Sequence, residues 1–277
     1  MGAAAIFARY ALAGAAPLAV AAARLVIASA ILLAIAAVHR GSRAATSATQ
    51  FGILFAAGVA LAVHFATWIA SLDYTSVAVS TLLVAMTPLW TTLYDAILLR
   101  RRYPLAVGFA FAGGIAGLAM VTSGNHNAPP IPGHELAGAL LALAGSAAFA
   151  IYLLLVRNVR AQLTTRAIVT TTYTTAATVL VVAAACAREG PPGVHAYAAW
   201  SGILAMALVS QLLGHTGMNA ALRWFSPSAV SFSNLIEPVI AAALALVIFG
   251  ERLSPLAAGG GCLILGSIAT VLWLAPD

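Results

Sequence analysis

The chain has 277 residues, 62% of them hydrophobic and only 7% charged, where a soluble domain carries about 25% charged residues. Too few polar residues remain to clothe a water-soluble globule of this size, so that class is excluded. The net charge of +6 comes from 13 arginines, with no lysine, against seven acids. Most of those arginines lie in short breaks between apolar runs, as bilayer anchors do, and not in the patches that bind nucleic acid.

Runs of about 20 apolar residues bounded by charge, Pro or Gly mark membrane spans. They fall at roughly 1–14, 17–39, 49–71, 76–99, 105–123, 136–156, 167–187, 197–219, 228–249 and 256–274. The pattern predicts an all-α integral membrane protein of ten transmembrane helices, with no extramembrane domain. The first run, Met1–Leu12, is too short to cross a core of about 30 Å. It lacks a basic start and Arg9 interrupts it, so it reads as a first helix truncated at its N-terminus and not as a signal peptide.

In the second run Arg24 follows Pro17 by seven residues, which puts it about 10 Å below the outer surface. It could snorkel outward, pair with Asp73, or contact an anion such as a substrate carboxylate. The third run carries His64 and Trp68 one turn apart; an interfacial belt is the competing reading of Trp68, which lies close to Ser71. Pro88 follows Thr87 in the fourth run, and Asp95 is expected to snorkel towards Arg100–Arg102. Gly113 and Gly117, with Gly259–Gly261 and Gly266, read as close helix packing and not as a nucleotide loop.

Tyr152 is a polar candidate in the sixth run, while the threonines of 170–178 are expected to bond their own helix backbone. Cys186 and Cys262 sit inside apolar runs and read as buried packers, not as a disulfide. In the eighth run Gln211, His215 and Asn219 recur every four residues as one polar stripe, and a stripe facing lipid is too costly, so it should face the bundle. The ninth run brings Ser231, Asn234 and Glu237, the last directly before Pro238. Glu237, midway along that run, reads equally as a site for a substrate ammonium or a proton, or as a protonated carboxyl serving backbone groups freed by the proline.

With the even-numbered breaks cytoplasmic, nine arginines fall inside and the break Ser123–His134 outside carries none. Both termini are then cytoplasmic, in a multi-pass membrane protein. Self-comparison at an offset of 150 residues pairs Gly52-Ile53-Leu54 with Gly202-Ile203-Leu204. It also pairs Leu72 with Leu222, Ser76 with Ser226, Pro88 with Pro238, Arg102 with Arg252 and Val121 with Val271. The chain therefore reads as two five-helix repeats, 1–127 and 128–277, within one membrane domain. An odd helix count inverts the second repeat, and inverted repeats build alternating-access transporters with Pro88 and Pro238 as matched gating kinks.

No lysine means no Walker A loop, and no HExxH, GxSxG or Cys/His metal spacing occurs. No enzyme, cofactor or metal is expected. The segment Asn234–Val239, then Gly250-Glu251-Arg252-Leu253-Ser254-Pro255 and a glycine-rich last helix, resembles the end of the drug/metabolite transporter superfamily, EamA type. Pro17 with Arg24, and Thr87-Pro88, resemble the same family, across essentially the whole chain. Arg100-Arg101 stands where the family's first repeat often has Gly-Glu, so no role for an acid there carries over.

The resemblance implies a metabolite exporter, with amino-acid export prominent among bacterial members. The expected site is a midplane cavity between the third, fourth, eighth and ninth helices. His64, Trp68, Gln211, His215, Asn219, Asn234 and Glu237 would line it. A secondary exporter of small amphipathic metabolites, foremost amino acids, is the leading function. A drug or quaternary-cation exporter using Glu237 and Trp68 is the alternative, and an intramembrane enzyme or scaffold the second. The partners are a small-molecule substrate and the lipid bilayer.

Overall fold

A computed structural model describes residues 2–38, 47–98, 100–124, 131–221, 224 and 235–274. Every regular element among them is a helix. In chain order these are α1 (Ala4–Leu12), α2 (Pro17–Val38), α3 (Ala48–Tyr74), α4 (Val77–Val84), α5 (Thr87–Leu98) and α6 (Leu105–Ser123). There follow α7 (Glu135–Val159), α8 (Thr165–Ala187), α9 (Tyr197–Ala205), a π-helical segment (Met206–His215) and α10 (Thr216–Ala221). The last two are α11 (Ile236–Phe249) and α12 (Pro255–Leu274).

Among the described residues eight helices are long and apolar enough to cross a membrane, α4 with α5 counting as one and α9 through α10 as another. Helix α11 has 14 described residues and α1 has nine. Large apolar side chains such as Phe109, Val247 and Trp273 are 78–82% exposed on the outside of the bundle. Only lipid covers such a surface, so the chain is a multi-pass membrane protein. Cys186 and Cys262 lie on that surface, exposed and unbridged, which corrects their reading as buried packers. The lipid-facing side of a membrane helix is as apolar as its core, so apolar neighbours do not distinguish the two.

The packing is duplicated. Helix α3 packs on α7 as α9 packs on α1, and α4 on α7 as α11 on α1. The pairs α2–α8, α4–α11 and α6–α12 join equivalent helices of the two halves. The same caps recur too: the Arg101 N–H bonds Asp95 O and the Glu251 N–H bonds Ala245 O. Both turns are closed by a left-handed residue, Arg100 (φ 52°) and Gly250 (φ 70°). Helices α6 and α12 meet through small residues, and a Cβ on Gly117 would lie 2.7 Å from Gly260 O.

Two ion pairs tie the halves together. Arg9 Nη2 at the end of α1 meets Glu251 Oε1 after α11 at 2.7 Å, and Glu251 Oε2 also accepts the Val77 N–H at 2.9 Å, at the start of α4. Burial pushes the Glu251 carboxyl above the ordinary carboxylate range, against the opposing pull of Arg9. At the end of α7, Arg157 binds both oxygens of Asp95 on α5, at 2.8 and 3.0 Å. Asp95 therefore pairs with Arg157 and does not reach towards Arg100–Arg102. Arg9 also lies 3.5 Å from Thr75 O, just beyond the C-terminal end of α3, whereas Gln50 near its N-terminal end bonds Gln162. The two ion pairs thus lie towards opposite ends of α3, whose 27 residues span about 40 Å.

Pro88 cannot donate to Val84 O, and the helix breaks between α4 and α5 at Ala85–Met86. The Thr87 hydroxyl takes up the freed carbonyl at 2.9 Å. Pro238 is the third residue of α11 as described; the expected kink there falls partly outside the described residues.

Candidate functional site

Arg24 is the largest fully buried side chain among the described residues. Helix α2 is apolar on every side, so its one guanidinium stands out against Ala, Val and Leu neighbours. It neither snorkels outward nor pairs with Asp73. Instead Nη2 donates to Gln211 Oε1 at 2.6 Å, and Nη1 lies 3.9 Å from Met206 Sδ. Its Cζ sits 4.1 Å from the centre of the Phe65 ring and 5.8 Å from that of Trp68, a cation–π contact with two rings on one face of α3.

His64, Phe65 and Trp68 belong to the buried face of α3. The imidazole Nδ1 of His64 is 2.9 Å from Gly145 O, so the tautomer that fits donates from Nδ1. The ring stacks parallel to Trp68 at 6.1 Å and lies 4.7 Å from Phe149 of α7. His64 is ten residues from the end of α3, about 15 Å, which is the middle of a hydrocarbon core of about 30 Å. Trp68 is 6% exposed, so it faces the interior of the bundle and is not a lipid-facing belt residue.

Gln211 and His215 come from the π-helical segment. Its wider turn is visible where Thr216 N–H reaches Gln211 O, five residues back. His215 meets Phe65 edge-on at 5.5 Å and Phe149 at 5.6 Å, so the two histidines share the same aromatic rings. Asn219 Nδ2 donates to His215 O at 2.9 Å and is 3.3 Å from the buried Tyr152 hydroxyl. Tyr173 of α8 completes the group, bonding Thr216 at 3.3 Å.

Arg24, His64, Trp68, Gln211, His215 and Asn219 thus form one connected cluster. Its polar and aromatic members come from α2, α3, α7, α8, the π-helical segment and α10, and Val77 and Val84 of α4 pack into the same core. Glu237 is half-buried in the first turn of α11 and makes no hydrogen bond or ion pair with the cluster among the described residues. Asn234 and Ser231 lie outside the described residues. Phe65, Phe149, Tyr173 and Met206 are cluster members that sequence reasoning did not single out, because rings and thioethers inside apolar runs look like ordinary core. Within the threonine-rich stretch, Thr172 and Thr178 bond their own helix backbone, whereas Thr170 and Thr174 hydroxyls are buried without a partner among the described residues.

The cluster is rich in donors without acceptors. Arg24 Nε, Gln211 Nε2 and Trp68 Nε1 are all buried and bond to nothing among the described residues. No carboxylate pairs with Arg24 there either. Asp95 and Glu251 hold Arg157 and Arg9, and Glu189 accepts the Leu18 and Ala19 N–H groups that open α2.

A lipid-embedded, duplicated helical bundle with a polar cluster buried near mid-membrane is built as a solute transporter. The chain belongs to the EamA-like transporter family, which matches residues 1–123 and again 136–273. It is therefore a membrane transporter of small molecules. One crystal structure of a protein superposes on 99% of this chain and 97% of its own, with a TM-score of 0.63 at 20% sequence identity, a likeness of fold alone. Comparison with curated proteins gives no match.

Proposed function

We propose that this transporter is a secondary exporter of small amphipathic metabolites, foremost amino acids, working by alternating access in the inner (plasma) membrane. Ten spans in two inverted five-helix repeats, with both termini cytoplasmic, form its frame. The observation that carries the reading is the buried cluster itself. It draws polar and aromatic side chains from both halves of a duplicated bundle, where inverted-repeat transporters hold their substrate. Hydrogen-bonding groups framed by Phe65, Trp68 and Phe149 suit a solute with one polar end and an apolar body.

Phosphorylated sugars fit poorly, since they call for several buried cations and Arg24 is the one arginine of the cluster among the described residues. Quaternary cations fit poorly too, because Arg24 already occupies the Phe65 and Trp68 rings. Glu237 and Asn234 contribute to the lining when the site opens, and Pro88 and Pro238 serve as the gating kinks. Counterflow in proteoliposomes tests the function. Labelled amino acids should exchange, with sugar phosphates and tetraalkylammonium ions inert. Exchange of tetraalkylammonium without amino-acid exchange would replace this reading by cation export.

A further inference from the structure

We infer that the Gln211 side-chain amide is a built-in stand-in for a substrate carboxylate, holding Arg24 until the carboxylate displaces it. The inference rests on reading the cluster as the transport site and adds the chemistry that the site selects.

Three observations lead to it. First, the guanidinium is fully buried, yet its strongest partner is a neutral amide oxygen at 2.6 Å. A carboxamide oxygen has the shape of one carboxylate oxygen without its charge, so it satisfies the geometry of the site and leaves its charge unmet. Second, the buried side-chain nitrogens left over around this bond, Arg24 Nε, Gln211 Nε2 and Trp68 Nε1, are all donors. A ligand group that only accepts answers all of them, whereas an alcohol, amine or amide would bring further donors of its own. Third, Gln211 rides on the π-helical segment, while Arg24 rides on the regular helix α2. A π-helical turn can relax towards α-helix with a shift of register, which would withdraw the amide from the guanidinium and admit the incoming group.

The apolar part of the ligand is specified as well. Phe65, Trp68 and Phe149 surround the cluster, and His64 stacks on Trp68. No acid faces Arg24, His64 or His215 among the described residues, so a ligand ammonium group gains nothing comparable there. The class selected is a carboxylate on a flat or bulky apolar body, with the carboxylate required and the ammonium optional.

Binding to the purified protein in nanodiscs, followed by thermal shift and by Trp fluorescence, tests the idea with four matched ligands. These are phenylalanine, 3-phenylpropanoate, phenylalaninamide and 2-phenylethylamine. The first two should bind, and the last two should bind at least tenfold more weakly. Gln211→Glu places a permanent carboxylate on Arg24 and should weaken both acids at least tenfold. Gln211→Ala, which removes the competitor for Arg24, should bind them more tightly than the unaltered protein. Equal binding of phenylalanine and phenylalaninamide, unaltered acid binding by Gln211→Glu, or no carboxylate-dependent signal in the panel would each overturn the inference. Flux separates this from the broader reading. Rapid exchange of phenylalaninamide sinks the stand-in and leaves an exporter. Binding and exchange of 3-phenylpropanoate without any amino-acid exchange sinks amino-acid export and upholds the stand-in.

Discussion

Removing Arg24 alone strands the Gln211 amide oxygen in a buried site, and removing Gln211 alone strands the guanidinium. Either single change leaves a desolvated polar group unmet, at a cost of about 1–3 kcal/mol. The double variant Arg24→Met with Gln211→Leu removes both together. It should be at least as thermostable as the unaltered protein, while its transport is lost. A double variant less stable than either single one would make the pair structural. The polar members of this site were legible as sequence, because an Arg, His, Gln or Asn inside an apolar run is costly unless something meets it. The rings were not. Phe65 and Phe149 differ from neighbouring core residues only in what they touch, and the partnership of Arg24 with Gln211 spans 187 residues.

At the scale of elements, the two ion pairs make contrasting demands. Asp95 uses both oxygens on Arg157, whose side chain is 42% exposed, so its loss should cost only about 1 kcal/mol. Exchanging the two, Asp95→Arg with Arg157→Asp, should restore the stability that either single change removes. Glu251 does two things at once, holding Arg9 and accepting the Val77 N–H that opens α4. Arginine cannot accept a hydrogen bond, so the exchange Arg9→Glu with Glu251→Arg should fail to restore stability. Glu251→Gln keeps one acceptor oxygen for two donors, Arg9 and the Val77 N–H, and sets an amide N–H against the other, so it should cost about 1–3 kcal/mol. Thermal unfolding of the five single and two double variants in detergent decides the matter, and equal rescue of both pairs would refute the double role. The π-helical segment had no sequence signature. Gln211, His215 and Asn219 at intervals of four read as α-helix, and only the backbone reveals the wider turn.

For the whole molecule, the apolar runs announced their helices because lipid demands long stretches with every backbone group paired internally. The offset of 150 residues reappears in the packing and in the caps at Arg100 and Gly250. What composition could not convey was which helices meet, and hence that α2, α7 and α8 wall the cluster. The proposed inversion of the second half also makes a statement about sidedness. Single cysteines at Arg101 and Pro132, introduced after Cys186 and Cys262 are replaced, should label from the cytoplasm and from outside respectively. Labelling of both from one side would undo the inverted arrangement.

A guanidinium buried within a membrane bundle, with no carboxylate on it among the described residues, also has an electrical consequence. Arg24 sits where the transmembrane voltage falls, and one elementary charge crossing all of it is worth about 2.3 kcal/mol per 100 mV. A rearrangement that opens the cluster first to one face and then to the other changes how much of that voltage lies on each side of the charge. Turnover in proteoliposomes under a potassium diffusion potential should therefore depend on voltage, and Arg24→Met should remove the dependence from whatever activity remains. A voltage negative inside draws the unloaded site towards the cytoplasm, the side on which the proposed export cycle reloads.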